Sequence, residues 1–259
     1  MKFSRRRFLA TAAALGTQLL VGKGVAAQGR TYRRIHCPIL MYHYVDYPPE
    51  DADAVRMDLT VTPELFSEHL LHLQTFGYTS VTLRQLWDAL EKGRKLPPKP
   101  VILTFDDGYD DAHQHAFPRL QEMDMVGTFF IIGNFMDQPG YLTWEQALEM
   151  KKAGMEIGNH SLTHPDMSKM QPSDQFNEAN ITADKIKEAL GERPEFFCYP
   201  LGRYNDMTMN VVKQTGHLAA LTTADGTLHF NGNLYRLTRV RVRNTTNPTA
   251  LEWLINRWI

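Results

Sequence analysis

The sequence predicts an α/β fold, a single parallel barrel of about eight strands, and three observations carry that expectation. Strand-like and helix-like segments alternate to the end of the chain, the pattern of parallel strands joined by helical crossovers. No linker or internal repeat divides them, so one domain holds them all. Polar clusters close several different strands, and a barrel gathers such ends around one pocket; a doubly wound open sheet is the alternative.

The elements follow in order. Ile39-Leu40-Met41-Tyr42 is an apolar strand ending in His43. A helix is expected over 63–76, with Thr62 as N-cap and Pro63 in the first turn, followed by a short strand over 78–81. Thr82 and Gln85 form a capping-box pattern that opens a helix ending near Gly93. Prolines 97, 98 and 100 break the chain before the strand Val101-Ile102-Leu103-Thr104-Phe105. Helix and strand pairs are then expected over 112–123 and 127–132, 144–153 and 155–159, 174–190 and 196–199, and 206–215 and 218–222. A strand over 237–242 and a helix over 249–258 finish the chain.

The amino terminus is of another kind. Ser4-Arg5-Arg6-Arg7-Phe8-Leu9, an apolar stretch to Val21 and the small-residue site Val25-Ala26-Ala27 have the form of a twin-arginine export signal over 1–27. The stretch is short of the roughly 20 apolar residues a membrane span needs. The expectation is therefore cleavage, no stable membrane span, a catalytic domain over 28–259, and a periplasmic or extracellular destination. Cys37 and Cys198, the two cysteines, lie in strand-like segments and are expected as small apolar core residues rather than as a disulfide. A net charge of −1 with 43% apolar residues gives no footing for nucleic-acid binding.

Two segments carry the chemistry. Asp106-Asp107-Gly108 ends an apolar strand, and adjacent carboxylates there repel unless a cation or a proton relieves them. On an extended chain the two side chains point opposite ways, so they take different jobs, and Gly108 permits a sharp exit. His160-Ser161-Leu162-Thr163-His164 follows another strand and supplies two nitrogen ligands on one irregular turn. One carboxylate and two histidines leave coordination positions open for water and substrate.

These segments, with Phe197-Cys198-Tyr199-Pro200-Leu201-Gly202 downstream, resemble the first three signature motifs of the polysaccharide deacetylases, carbohydrate esterase family four. The resemblance implies a distorted barrel of about seven to eight mostly parallel strands and one divalent metal ion. Zinc is the first expectation for that ion, with cobalt, nickel or iron as alternatives. It implies Asp106 as general base, Asp107, His160 and His164 as metal ligands, and the Leu201 backbone N–H as oxyanion donor, with Tyr109 and Pro200 lining the substrate. The implied reaction removes N-acetyl groups from N-acetylhexosamine units of a polysaccharide or oligosaccharide. The alternatives are a catalytically impaired carbohydrate-binding relative and a cyclic-amide hydrolase of the same superfamily.

Three departures shape the expectation. The family's general-acid histidine near the carboxyl end is missing, and the strand ending in His43 resembles its counterpart in the circularly permuted branch; His43 is thus expected as the acid. The family arginine that holds the catalytic Asp is replaced by Cys198, so another group must orient Asp106. An Asp-x-x-Asp-Trp motif is absent, with Asp225 a weak substitute, and His229 is expected in a polar loop.

Overall fold

The structure, a computed structural model, describes residues 31–257; the expected export signal over 1–27 lies outside them. The described domain closes on seven parallel strands: β1 (Ile39–Tyr42), β2 (Pro100–Phe105), β3 (Thr128–Ile131), β4 (Glu156–Asn159), β5 (Phe196–Cys198), β6 (Ala219–Asp225) and β7 (Leu237–Arg241). Around the barrel β2 to β7 stand in chain order, and β1 fills the gap between β7 and β2. Leu40 pairs with Val240 on one side and with Leu103 on the other. The eighth expected strand, Thr79–Ser80, hangs on the outer edge of β2, too short to join the closure.

Alternation sorts the strand residues into two cores. In β2, Leu103 and Phe105 face the helices, where Tyr42, Phe105 and Phe129 stack at centroid separations of 5.4 and 4.6 Å. Ile102 packs instead with Ile39, Phe130, Cys198 and Leu221, and Thr104 and Asp106 continue its face toward the barrel mouth. Cys37 and Cys198 are both free and fully buried, as the sequence suggests.

Helix boundaries follow their caps. Thr62, Thr82 and Thr143 accept from their N3 amides, and Gln85 and Gln146 complete capping boxes. The helix expected over 112–123 opens as a π-turn, Ala112–Ala116, before Phe117–Glu122; Pro118 has no N–H for the preceding turn, so that turn widens. Small elements escaped the sequence reading: a helix Ala54–Leu59, a paired Tyr44–Val45 and Thr60–Val61, and an antiparallel ribbon of Arg34–His36 with Leu228–Phe230. The ribbon corrects the polar-loop expectation for His229, which is buried with Nε2 3.0 Å from the Cys37 carbonyl. Among the described residues no helix is long and apolar enough to cross a membrane.

Candidate active site

The chemistry-bearing residues meet at the carboxyl ends of the strands, in a cleft of about 570 Å³. Asp106 follows β2, and its two oxygens accept from Arg239 Nη1 and Nη2, both at 2.7 Å. Arg239 lies on β7 and also donates to the Thr222 carbonyl, Thr104 Oγ1 and Cys198 Sγ. Burial by itself would raise the Asp106 carboxyl, but the forked guanidinium holds it well below the usual carboxylate range. Asp106 is thus a rigidly aimed, permanently ionised acceptor.

Asp107 serves a different group. The alternation of β2 would turn it to the helix layer; instead its φ of 72° swings the carboxylate back over the barrel mouth. The two carboxylates therefore share the barrel mouth instead of pointing opposite ways, because Asp107 is left-handed and not extended; they differ in their partners. Asp107 Oδ1 lies 3.2 Å from His160 Nε2 and 3.3 Å from His164 Nε2.

The loop 160–164 is gripped from several sides. His160 Nδ1 donates to the Cys198 carbonyl at 2.8 Å, which turns Nε2 toward Asp107. Glu178, on the helix Pro172–Leu190, accepts from the Leu162 and Thr163 amides and from Thr163 Oγ1. Ser161 Oγ accepts from the His164 amide, and Asn159 Oδ1 from the Ser161 amide. Ser161, His164 and Leu201 have φ of 69°, 60° and 57°, conformations that cost a side chain about 1–3 kcal/mol each and persist where surroundings dictate them.

The donor set suits a divalent metal. Ligand atoms of Asp107, His160 and His164 all lie within 4.8 Å of one another, and the His160 tautomer is fixed from behind. Two imidazole nitrogens and a carboxylate oxygen match a catalytic site with open positions.

His43 follows β1 and lines the same cleft; its Nδ1 is buried with no hydrogen-bond partner. Burial pushes its imidazole below the ordinary value, while Asp106 and Asp107 pull the other way. Leu201 sits at the left-handed corner of the third segment, exposed and lining the cleft. Tyr109 lines the cleft too, stacked on Tyr44 at 4.0 Å. Pro200 does not: it is buried beneath the turn, and Tyr199, stacked on Tyr204, takes its place in the wall. Asp225 pairs with Arg257 and takes no part in the cleft.

The residue the sequence reading missed is Arg239. The family pattern has its arginine at the third motif, where Cys198 stands; Arg239 instead enters from β7, two strands away from Cys198 around the barrel. The available signal is an arginine within the strand Leu237-Thr238-Arg239-Val240, between the apolar residues Leu237 and Val240 that such a strand buries.

Such chemistry belongs to hydrolases that activate water at a divalent metal, and comparison with known proteins agrees. The family profile "Polysaccharide deacetylase" matches residues 93–220. YxkH of Bacillus subtilis, named for the polysaccharide deacetylases, is 31% identical over 213 residues, 82% of this chain and 74% of that one. The chain belongs to the polysaccharide deacetylase family. The poly-β-1,6-N-acetyl-D-glucosamine N-deacetylase of Escherichia coli is 24% identical over 79% of this chain, which spans 36% of that enzyme's length. The Streptococcus pyogenes deacetylase PplD, solved with acetate, superposes with a TM-score of 0.80 at 28% identity over 86% of this chain and 100% of that one. The Bacillus cereus polysaccharide deacetylase BC0361 gives 0.76 at 27% identity, over 86% of this chain and 70% of that one. The family profile leaves out both His43 and Arg239.

Proposed function

We propose that the protein removes N-acetyl groups from N-acetylhexosamine units of a polysaccharide, with Asp106 as base, His43 as acid and Asp107, His160 and His164 as metal ligands. The observation that carries this reading is the division of labour between adjacent carboxylates, one forked by Arg239 and one facing two histidines. When bound, a divalent metal polarises the acetyl carbonyl and supplies a water of lowered pKa; zinc fits the two-nitrogen, one-oxygen set.

The chain's own residues do the rest. Asp106 Oδ takes the proton of the attacking water, with Arg239 keeping the carboxylate aimed and charged. The Leu201 N–H, at a left-handed corner of the cleft wall, meets the oxygen that gains charge. His43 hands a proton to the departing amine from the wall formed by β1. Tyr109, backed by Tyr44, offers an aromatic wall of the cleft against which a sugar ring packs. Export through a twin-arginine signal over 1–27 to the periplasm or exterior belongs to the same proposal, supported by the arginine run and the apolar stretch behind it.

The test is acetate release from N-acetylglucosamine oligomers after chelation and metal add-back. Asp106→Asn is expected to keep its metal and lose at least about 10²-fold in kcat, whereas His160→Ala loses metal and turnover together. An Asp106→Asn variant with normal turnover overturns the assignment.

A further inference from the structure

Arg239 and Arg241 lie two apart on β7, so their side chains leave the strand on the same face. Arg239 is consumed by Asp106 deep in the barrel. Arg241, one step nearer the mouth, lines the cleft, is only partly exposed, and its side chain makes no hydrogen bond or ion pair with any described residue. Its neighbours do not neutralise it: Arg243 pairs with Asp58, and Asp106 is already matched. Arg203, just beyond Leu201, also lines the cleft; it is exposed and directs no side-chain bond to a described residue. Arg56, the remaining cleft arginine beside these, is occupied, lying 3.2 Å over the Tyr44 ring and 3.5 Å from Asp46.

A half-buried guanidinium has lost part of its hydration, a cost that a fold offsets with a counter-charge. The carboxylates that share the cleft, Asp53, Asp106 and Asp107, are engaged by the Arg56 amide, by Arg239 and by two histidines, and none pairs with Arg241; the open fork of an arginine matches a carboxylate or a phosphate in two parallel hydrogen bonds. A neutral polymer of N-acetylhexosamine presents only hydroxyls and amides to it.

We propose that the glycan taken by this cleft carries an anionic substituent, a carboxylate or a phosphate, near the acetamido group it presents, and that Arg241 with Arg203 receives it. The proposal rests on the deacetylase reading and narrows its substrate class.

The test compares three tetrasaccharides of equal length: neutral N-acetylglucosamine, alternating glucuronate and N-acetylglucosamine, and N-acetylglucosamine bearing one phosphate monoester. Affinity is read by calorimetry on the metal-loaded Asp106→Asn chain and as KM on the wild type. One anionic probe is expected to bind about tenfold tighter than the neutral one, and the arm that does so names the anion. Arg241→Gln is expected to bring the ratio near one and Arg241→Lys to restore most of it. Equal affinity for all three probes, or a ratio unmoved by Arg241→Gln, overturns the proposal. Acetate release by the wild type is scored separately: anion preference without acetate from any probe overturns the deacetylase reading while recognition stands, and acetate without preference does the reverse.

Discussion

Arg239 is fully buried and Asp106 is 3% exposed, so their bidentate pair is shielded from both water and salt. A depressed carboxyl stabilises the fold at every pH above the unfolded value of about 3.9, and the contribution is lost only as pH falls through the lower folded value. The acidic limb of the pH–rate profile therefore reports protonation of the metal-site histidines, not of Asp106. Arg239→Lys keeps the charge but not the fork, and it gives up bonds to Thr222, Thr104 and Cys198. Expected are a loss of about 1.5–3 kcal/mol in denaturant unfolding and a fall in kcat of up to about 10²-fold with metal retained. Unchanged kcat would show that Asp106 needs no fork. For His43 the readout is the opposite limb. Burial lowers its imidazole against the pull of the two aspartates, so the acid is lost as pH rises, at a lower pH than for a free histidine. His43→Gln is expected to remove that limb along with most of the rate, and a limb that persists would assign the acid elsewhere.

At the level of elements, the loop 160–164 shows how a short turn is made rigid enough to hold a metal. The two histidines lie on a backbone that bends left-handed at Ser161 and His164, and no helix or strand stabilises it. Glu178 substitutes for one, closing two amides and a hydroxyl from a neighbouring helix. Glu178→Ala leaves two part-buried amides without their carboxylate, a cost below the roughly 1–3 kcal/mol of a fully buried one, and frees the loop. Metal affinity measured by competition with a chelator is expected to drop at least about tenfold, with most of the fold retained. Retained affinity would mean that His160 and its bond to the Cys198 carbonyl hold the loop unaided.

Over the whole molecule, what was legible in the sequence was what local chemistry encodes. The helix starts at Thr62, Thr82 and Thr143 follow from side chains within one turn, and the Asp107, His160 and His164 group that could hold a metal from two short segments. Two-residue pairings such as Tyr44–Val45 with Thr60–Val61 are too short to show a period, so they could not be read. Arg239 was invisible for a different reason: its partner lies 133 positions away, and only the closed barrel makes them neighbours. The same holds for the burial of Pro200, which depends on how the turn after β5 packs and not on its own residues.

The insertion of β1 between β7 and β2 has a consequence in time. Asp107 and the two histidines hang on β2 and β4, which associate through successive neighbours in the middle of the chain. Asp106 acquires its arginine, and His43 its place, only when the two extremities of the domain zip together, a long-range step that is slow to nucleate. A refolding chain is expected to capture metal first and to gain turnover later, with the lag readable by mixing denatured protein into metal and substrate. Simultaneous recovery would argue that the seam forms early. Until it shuts, the molecule is a metal binder without a working proton relay, so ordering of the seam, rather than synthesis of any one residue, switches the enzyme on.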